Sequence, residues 1–99
     1  MAFTPLSIAS QLGNVQEVLT LIEAGADINA CNHIGWTPLS MAAGNGHDRV
    51  VKALIEAGVD INKASYNSGW TPLSIATTKG RETILKMLIK VGAVQQPKQ

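Results

Sequence analysis

The chain has 99 residues, 45% of them hydrophobic but only four aromatic, and a net charge of +1 from eight Lys and Arg against seven Asp and Glu. That length fits one small domain. The balanced charge excludes a strongly basic nucleic-acid or membrane-surface protein, and the wealth of Leu, Ile, Val and Ala excludes a disordered tail.

The elements follow from Met1 onward. MAFTPLS lacks the basic and apolar regions of a signal peptide. Thr4 is placed to cap a short helix over 5–12, with Pro5 in its first turn, where no N–H is needed. Gly13 stops it. A second helix is expected at 15–24, with the apolar stripe Val18, Leu21 and Ile22, and Gly25 ends it. Residues 26–36 are rich in Asp, Asn and Gly and read as an extended turn. The pattern then restarts. Thr37 and Pro38 open a helix over 38–45 that ends at Gly46. A second one over 48–57 carries Val50, Val51, Leu54 and Ile55 and ends at Gly58. After the turn 59–70, Thr71 and Pro72 open a helix over 72–79, stopped by Gly80. The last helix, 82–91, carries Ile84, Leu85, Leu88 and Ile89 before Gly92. No apolar run approaches the roughly 20 residues of a bilayer span.

The restart is an internal repeat. Thr4-Pro5-Leu6-Ser7-Ile8-Ala9 returns as Thr37-Pro38-Leu39-Ser40-Met41-Ala42 and as Thr71-Pro72-Leu73-Ser74-Ile75-Ala76, at steps of 33 and 34 residues. Over 4–29 against 37–62, 15 of 26 residues are identical. No single helix pair can bury its apolar face alone, but three stacked pairs share one core of Leu, Ile, Val and Ala. The expected units are 1–33, 34–67 and 68–94, with a polar tail at 95–99. The fold expected is an all-α solenoid.

These residues resemble the ankyrin repeat family over roughly 1–94. The matched pattern is G-x-T-P-L-x-x-A…G…V-V-x-x-L-[LI]-x-x-G-A-D-x-N, seen best at 35–62. The resemblance implies helix–loop–helix units with β-hairpin-like fingers projecting at right angles, and a protein partner as the ligand. Ser7, Ser40 and Ser74 replace the family's usual His, which puts that residue's hydrogen-bond network in doubt. Glu17 stands where the later copies have Val50 and Ile84, at a position expected to face a preceding repeat. Thr77 replaces Ala43, and Val94-Gln95-Gln96 followed by Pro97 replaces the start of a third finger. Polar substitutions of this kind suit terminal caps, so a complete small array is expected.

Little converges for chemistry. Cys31 and His33 form a C-x-H pair, but a metal site needs two further ligands and only scattered carboxylates are at hand. As a nucleophile pair they lack a group to orient the imidazole. The glycines are spaced as helix stops, not as a phosphate cradle. The expectation is therefore a protein without catalytic residues, metal or cofactor. A lone cysteine cannot close an internal disulfide, which fits a reducing compartment such as the cytoplasm. Asp27, Asn29, Asp60 and Asn62 are expected to bond local backbone amides and fix the finger bases.

The aromatic residues are the better guide to a surface. Phe3, Trp36 and Trp70 each precede T-P-L, and Tyr66 lies in the second turn. By the family geometry this column lines the concave side, where large rings dominate binding energy; the same rings can equally cover the finger base. The resemblance extends the contact set to the finger tips His33, Ile34, Tyr66, Asn67 and Ser68. On the first helices it adds Gln11, Leu12, Asn45, Thr78 and Lys79. Charge is graded along the chain: −3 over 1–33, zero over 34–66 and +4 over 67–99. Solvated helix faces account for such a gradient. The chain is expected to be a monomer, with at most weak head-to-tail association; an alternative function is a structural or regulatory subunit that assembles end to end through this gradient.

Overall fold

The computed structural model describes residues 4–66 and 68–92. Six helices run in chain order: α1 Pro5–Leu12, α2 Val15–Glu23, α3 Pro38–Asn45, α4 Asp48–Glu56, α5 Pro72–Lys79 and α6 Glu82–Lys90. The first helix of each unit has its expected bounds. The second is one residue shorter, because Ala24, Ala57 and Val91 serve as C-caps.

Local chemistry explains the helix starts. Thr4, Thr37 and Thr71 Oγ1 each accept from the backbone N–H three residues on, at 3.1 Å. The serines that stand in place of His complete this network. Ser7 and Ser74 Oγ accept from the Thr4 and Thr71 N–H at 3.0 and 2.8 Å, closing capping boxes on α1 and α5. Ser40 Oγ lies 3.2 Å from Thr37 Oγ1 in a fully buried pair. Gly13, Gly46 and Gly80 end the first helices with φ of +79°, +77° and +70°.

The helices pack in two rows, α1–α3–α5 and α2–α4–α6. Between them lies one core built on Leu6, Leu39 and Leu73, on Val18 and Val51, and on Leu54 and Leu88. Burying such side chains contributes about 1.5–3 kcal/mol each. Among the described residues, no aromatic ring belongs to this core. The first-helix row is close because its facing residues are small. A Cβ on Gly44 would come within 3.2 Å of Ile75 Cγ2.

A second link between units lies outside the sequence pattern. His47 Nε2 donates to the Gln11 carbonyl at 2.9 Å, and Arg81 Nε and Nη2 donate to the Gly44 carbonyl at 3.3 and 3.1 Å. Gln11 and Gly44 are equivalent positions near helix C-termini, where carbonyls lack intrahelical partners. Asn14, the counterpart of His47 and Arg81 in the first unit, instead caps its own helix by accepting from the Glu17 N–H at 3.1 Å.

Burial across equivalent positions defines the two end faces. Pro5, Ile8 and Glu17 are exposed, whereas Pro38 with Pro72, Met41 with Ile75, and Val50 with Ile84 are buried. At the other end Thr77 is exposed, with its Oγ1 donating to the Leu73 carbonyl at 2.8 Å, while Ala43 is buried. The expectations for Val94-Gln95-Gln96, Pro97 and the tail at 95–99 fall outside the described residues.

Candidate functional site

The fingers are built from one repeated loop. In the first, Asn32 Oδ1 accepts from the Ile34 and Trp36 N–H groups, both at 3.0 Å, and the Asn32 N–H donates to the Trp36 carbonyl at 2.9 Å. In the second, Ser65 takes the same role. Its Oγ accepts from the Trp70 N–H at 2.9 Å, and its N–H donates to the Trp70 carbonyl at 2.8 Å. Asn32 and Ser65 thus fix where the two indoles leave the backbone. Among the described residues the fingers contain turns and no strand.

The fingers are also tied to each other. The Tyr66 N–H donates to the Ile34 carbonyl at 3.0 Å. This approach needs glycine at position 35, where φ is +89° and a Cβ would lie 2.7 Å from Tyr66 N. At the bases, Asp27 and Asp60 Oδ1 accept from the Asn29 and Asn62 N–H groups at 3.0 and 3.1 Å, the local role expected. Asn29 departs from that role. Its Oδ1 accepts from the Asp60 N–H at 2.8 Å and so bridges two units.

Cys31 lies beside the second finger rather than in a reactive cluster. Its Sγ shares a hydrogen bond with Tyr66 Oη at 2.9 Å. That bond, with the charge interaction between the two groups, raises the Tyr66 phenol above its ordinary pKa of 10.0. Lys63 Nζ sits 5.6 Å from the centre of the Tyr66 ring, in cation–π range. Among the described residues, no three His, Cys, Asp or Glu gather as a metal site.

The indoles line two cavities that share Trp36. One, of about 330 Å³, is lined by Trp36, Trp70, Ile75, Thr78 and Lys79. The other, of about 240 Å³, is lined by Gln11, Asn32, Ile34, Trp36, Met41 and Asn45. Trp36 is the wall they share. Trp70 is 36% exposed and Ile34 is open to solvent. Asn45 holds its amide by donating to the Met41 carbonyl at 2.9 Å.

The structure thus brings Gln11, Ile34, Trp36, Asn45, Trp70, Thr78 and Lys79 together along one surface. His33, Tyr66 and Ser68 are exposed on the fingers but line neither cavity. Leu12, 72% exposed, faces a third cavity with Pro5, Ile8 and Glu17 at the first end face. Phe3 and Asn67 lie outside the described residues. Sequence reasoning missed the floors, Met41 and Ile75, and the loop anchor Asn32. Met41 and Ile75 are the variable fifth residue of T-P-L-S-[MI]-A, the one signal that marked them.

Taken together, the elements define a stack of three helix–loop–helix units joined by projecting turns. The sequence model described as ankyrin repeats (3 copies) matches residues 6–98. The chain belongs to the ankyrin repeat family, whose members serve generally as protein–protein interaction modules. A search of curated proteins gave no match. Among the described residues, no helix is long and apolar enough to cross a membrane.

Proposed function

We propose that the chain binds one protein partner through its concave face and acts as a scaffold, adaptor or competitive inhibitor without catalysis or cofactor. The observation that carries this reading is the placement of Trp36 between two adjoining cavities, with Trp70 on the far wall of the larger one. The pair forms an apolar strip across two units, while the core among the described residues holds no ring. Trp side chains in such settings are the usual anchors of binding energy. The face is small, so affinity rests on these anchors rather than on area. The free thiol of Cys31 suits a reducing compartment such as the cytoplasm.

End-to-end assembly is less favoured by the burial pattern. It would place Glu17 in the slot that Val50 and Ile84 fill in the later units, and burying a carboxylate there costs its hydration.

The test is affinity capture from the source organism with the full chain and its Trp70→Ala variant. Loss of a hot-spot ring is worth about 2 kcal/mol, or roughly 30-fold in Kd, with little change in unfolding midpoint because the ring is part-exposed. Undiminished capture by Trp70→Ala, or a loss of several kcal/mol in folding stability, would show that the ring is structural.

A further inference from the structure

The segments that carry the two indole-lined cavities hold no acidic residue. The first helices, 5–12, 38–45 and 72–79, and the finger arms, 30–36 and 63–70, contain no Asp or Glu. All seven acids lie elsewhere. Glu17, Glu23, Asp48, Glu56 and Glu82 are on the second helices, and Asp27 and Asp60 are at the finger bases. The same concave segments carry Lys63, Lys79 and His33. A chain with net charge +1 is therefore segregated, with Lys79 at the larger of the two cavities and Lys63 over Tyr66 on the second finger.

The two lysines are placed beside rings. Lys79 lines the larger cavity together with both indoles and Ile75, and Lys63 lies over Tyr66 on the neighbouring finger. An ammonium at the rim of an apolar cavity favours a ligand that offers a carboxylate next to an apolar group. A basic ligand would meet like charge there with no acid to relieve it.

We infer that the partner segment is acidic, placing one apolar side chain between Trp36 and Trp70 and an adjacent Asp or Glu carboxylate on Lys79, with further acids toward Lys63. This rests on the concave-face reading above and specifies the partner's chemistry. The cavity of about 330 Å³ has room for a Leu, Met or Phe side chain. Because Trp36 and Trp70 are the chain's two tryptophans, occupancy of the cavity alters intrinsic fluorescence directly.

The experiment is selection of a displayed library of random peptides against the full chain, in parallel with its Lys79→Glu and Trp70→Ala variants. Enriched peptides should pair an apolar residue with Asp or Glu, change the tryptophan emission, and bind Lys79→Glu at least ~10-fold more weakly. Selection on Lys79→Glu should shift enrichment toward neutral or basic peptides. Absence of enrichment, enrichment of neutral or basic peptides on the unsubstituted chain, or indifference to Lys79→Glu overturns the inference. If Lys79→Glu is without effect but Trp70→Ala abolishes binding, the concave-face reading stands and only the acidic preference falls. Binding that neither variant weakens overturns both.

Discussion

Ser10 and Ser7 lie on the same short helix, are both buried, and should respond to the same substitution with opposite sign. Ser7 Oγ accepts from the Thr4 N–H at 3.0 Å and donates to the Thr4 carbonyl at 2.9 Å. Ser10 Oγ is buried with no hydrogen-bond partner. Its counterpart in the next unit is Ala43, equally buried. An unpaired buried hydroxyl costs about 1–3 kcal/mol by mutational data, and Ala is favoured over Ser inside a helix by about 0.5 kcal/mol. Against this stands the loss of one oxygen's packing contacts, a few tenths of a kcal/mol. Ser10→Ala should therefore stabilise the chain by about 1–2 kcal/mol. For a domain of this size, that raises the melting midpoint by roughly 5–12 °C. Ser7→Ala should instead destabilise by about 1 kcal/mol, because it removes half of a capping box. Urea unfolding followed by far-ultraviolet circular dichroism measures both. A Ser10→Ala variant that is neutral or less stable than the parent would refute the reasoning, since the hydroxyl would then have a partner in solution.

Two further outcomes follow from the links between units. Arg81→Ala removes two charge-assisted bonds to one carbonyl of α3, where the side chain is half-buried. Counting the shared acceptor once, the loss is about 1.5 kcal/mol. Arg49→Ala, at an exposed position of α4, should stay within about 0.5 kcal/mol, and equal effects at the two sites would argue against the link. The Tyr66 phenol should titrate above 10.0 in the parent and move toward that value in Cys31→Ala, read from phenolate absorbance. Because the folded pKa is the higher one, the stabilisation from this bond is present below the unfolded value and is lost as pH rises through the folded value. An unchanged titration in Cys31→Ala would dissolve the pair.

Residue types and their spacing determined most of the architecture. T-P-L at steps of 33 and 34, with Gly13, Gly46 and Gly80 in phase, is enough to place three first helices to the residue. Caps and stops are local, set within three or four residues, and such interactions are written in the order of the chain. The positions of Trp36 and Trp70 directly before T-P-L were legible for the same reason, because their register is that of the cap. Glu17 and Thr77, the departures from the pattern, are both exposed.

Contacts between units arise from packing in three dimensions, which the spacing of residues within one unit does not encode. Asn29 looked like a turn residue, yet its oxygen reaches the amide of the next finger because stacking brings Asp60 to 2.8 Å. His47 and Arg81 directly precede α4 and α6, yet their side chains close the helix ends of the preceding unit. Ser10 reads as another Ser of a helix, and its missing partner is visible only where packing has shut water out. The sharing of Trp36 by two cavities depends likewise on Met41 and Ile75 forming their floors. Periodicity dictates which face of each helix is buried; the distance between units dictates which polar atoms meet and which do not.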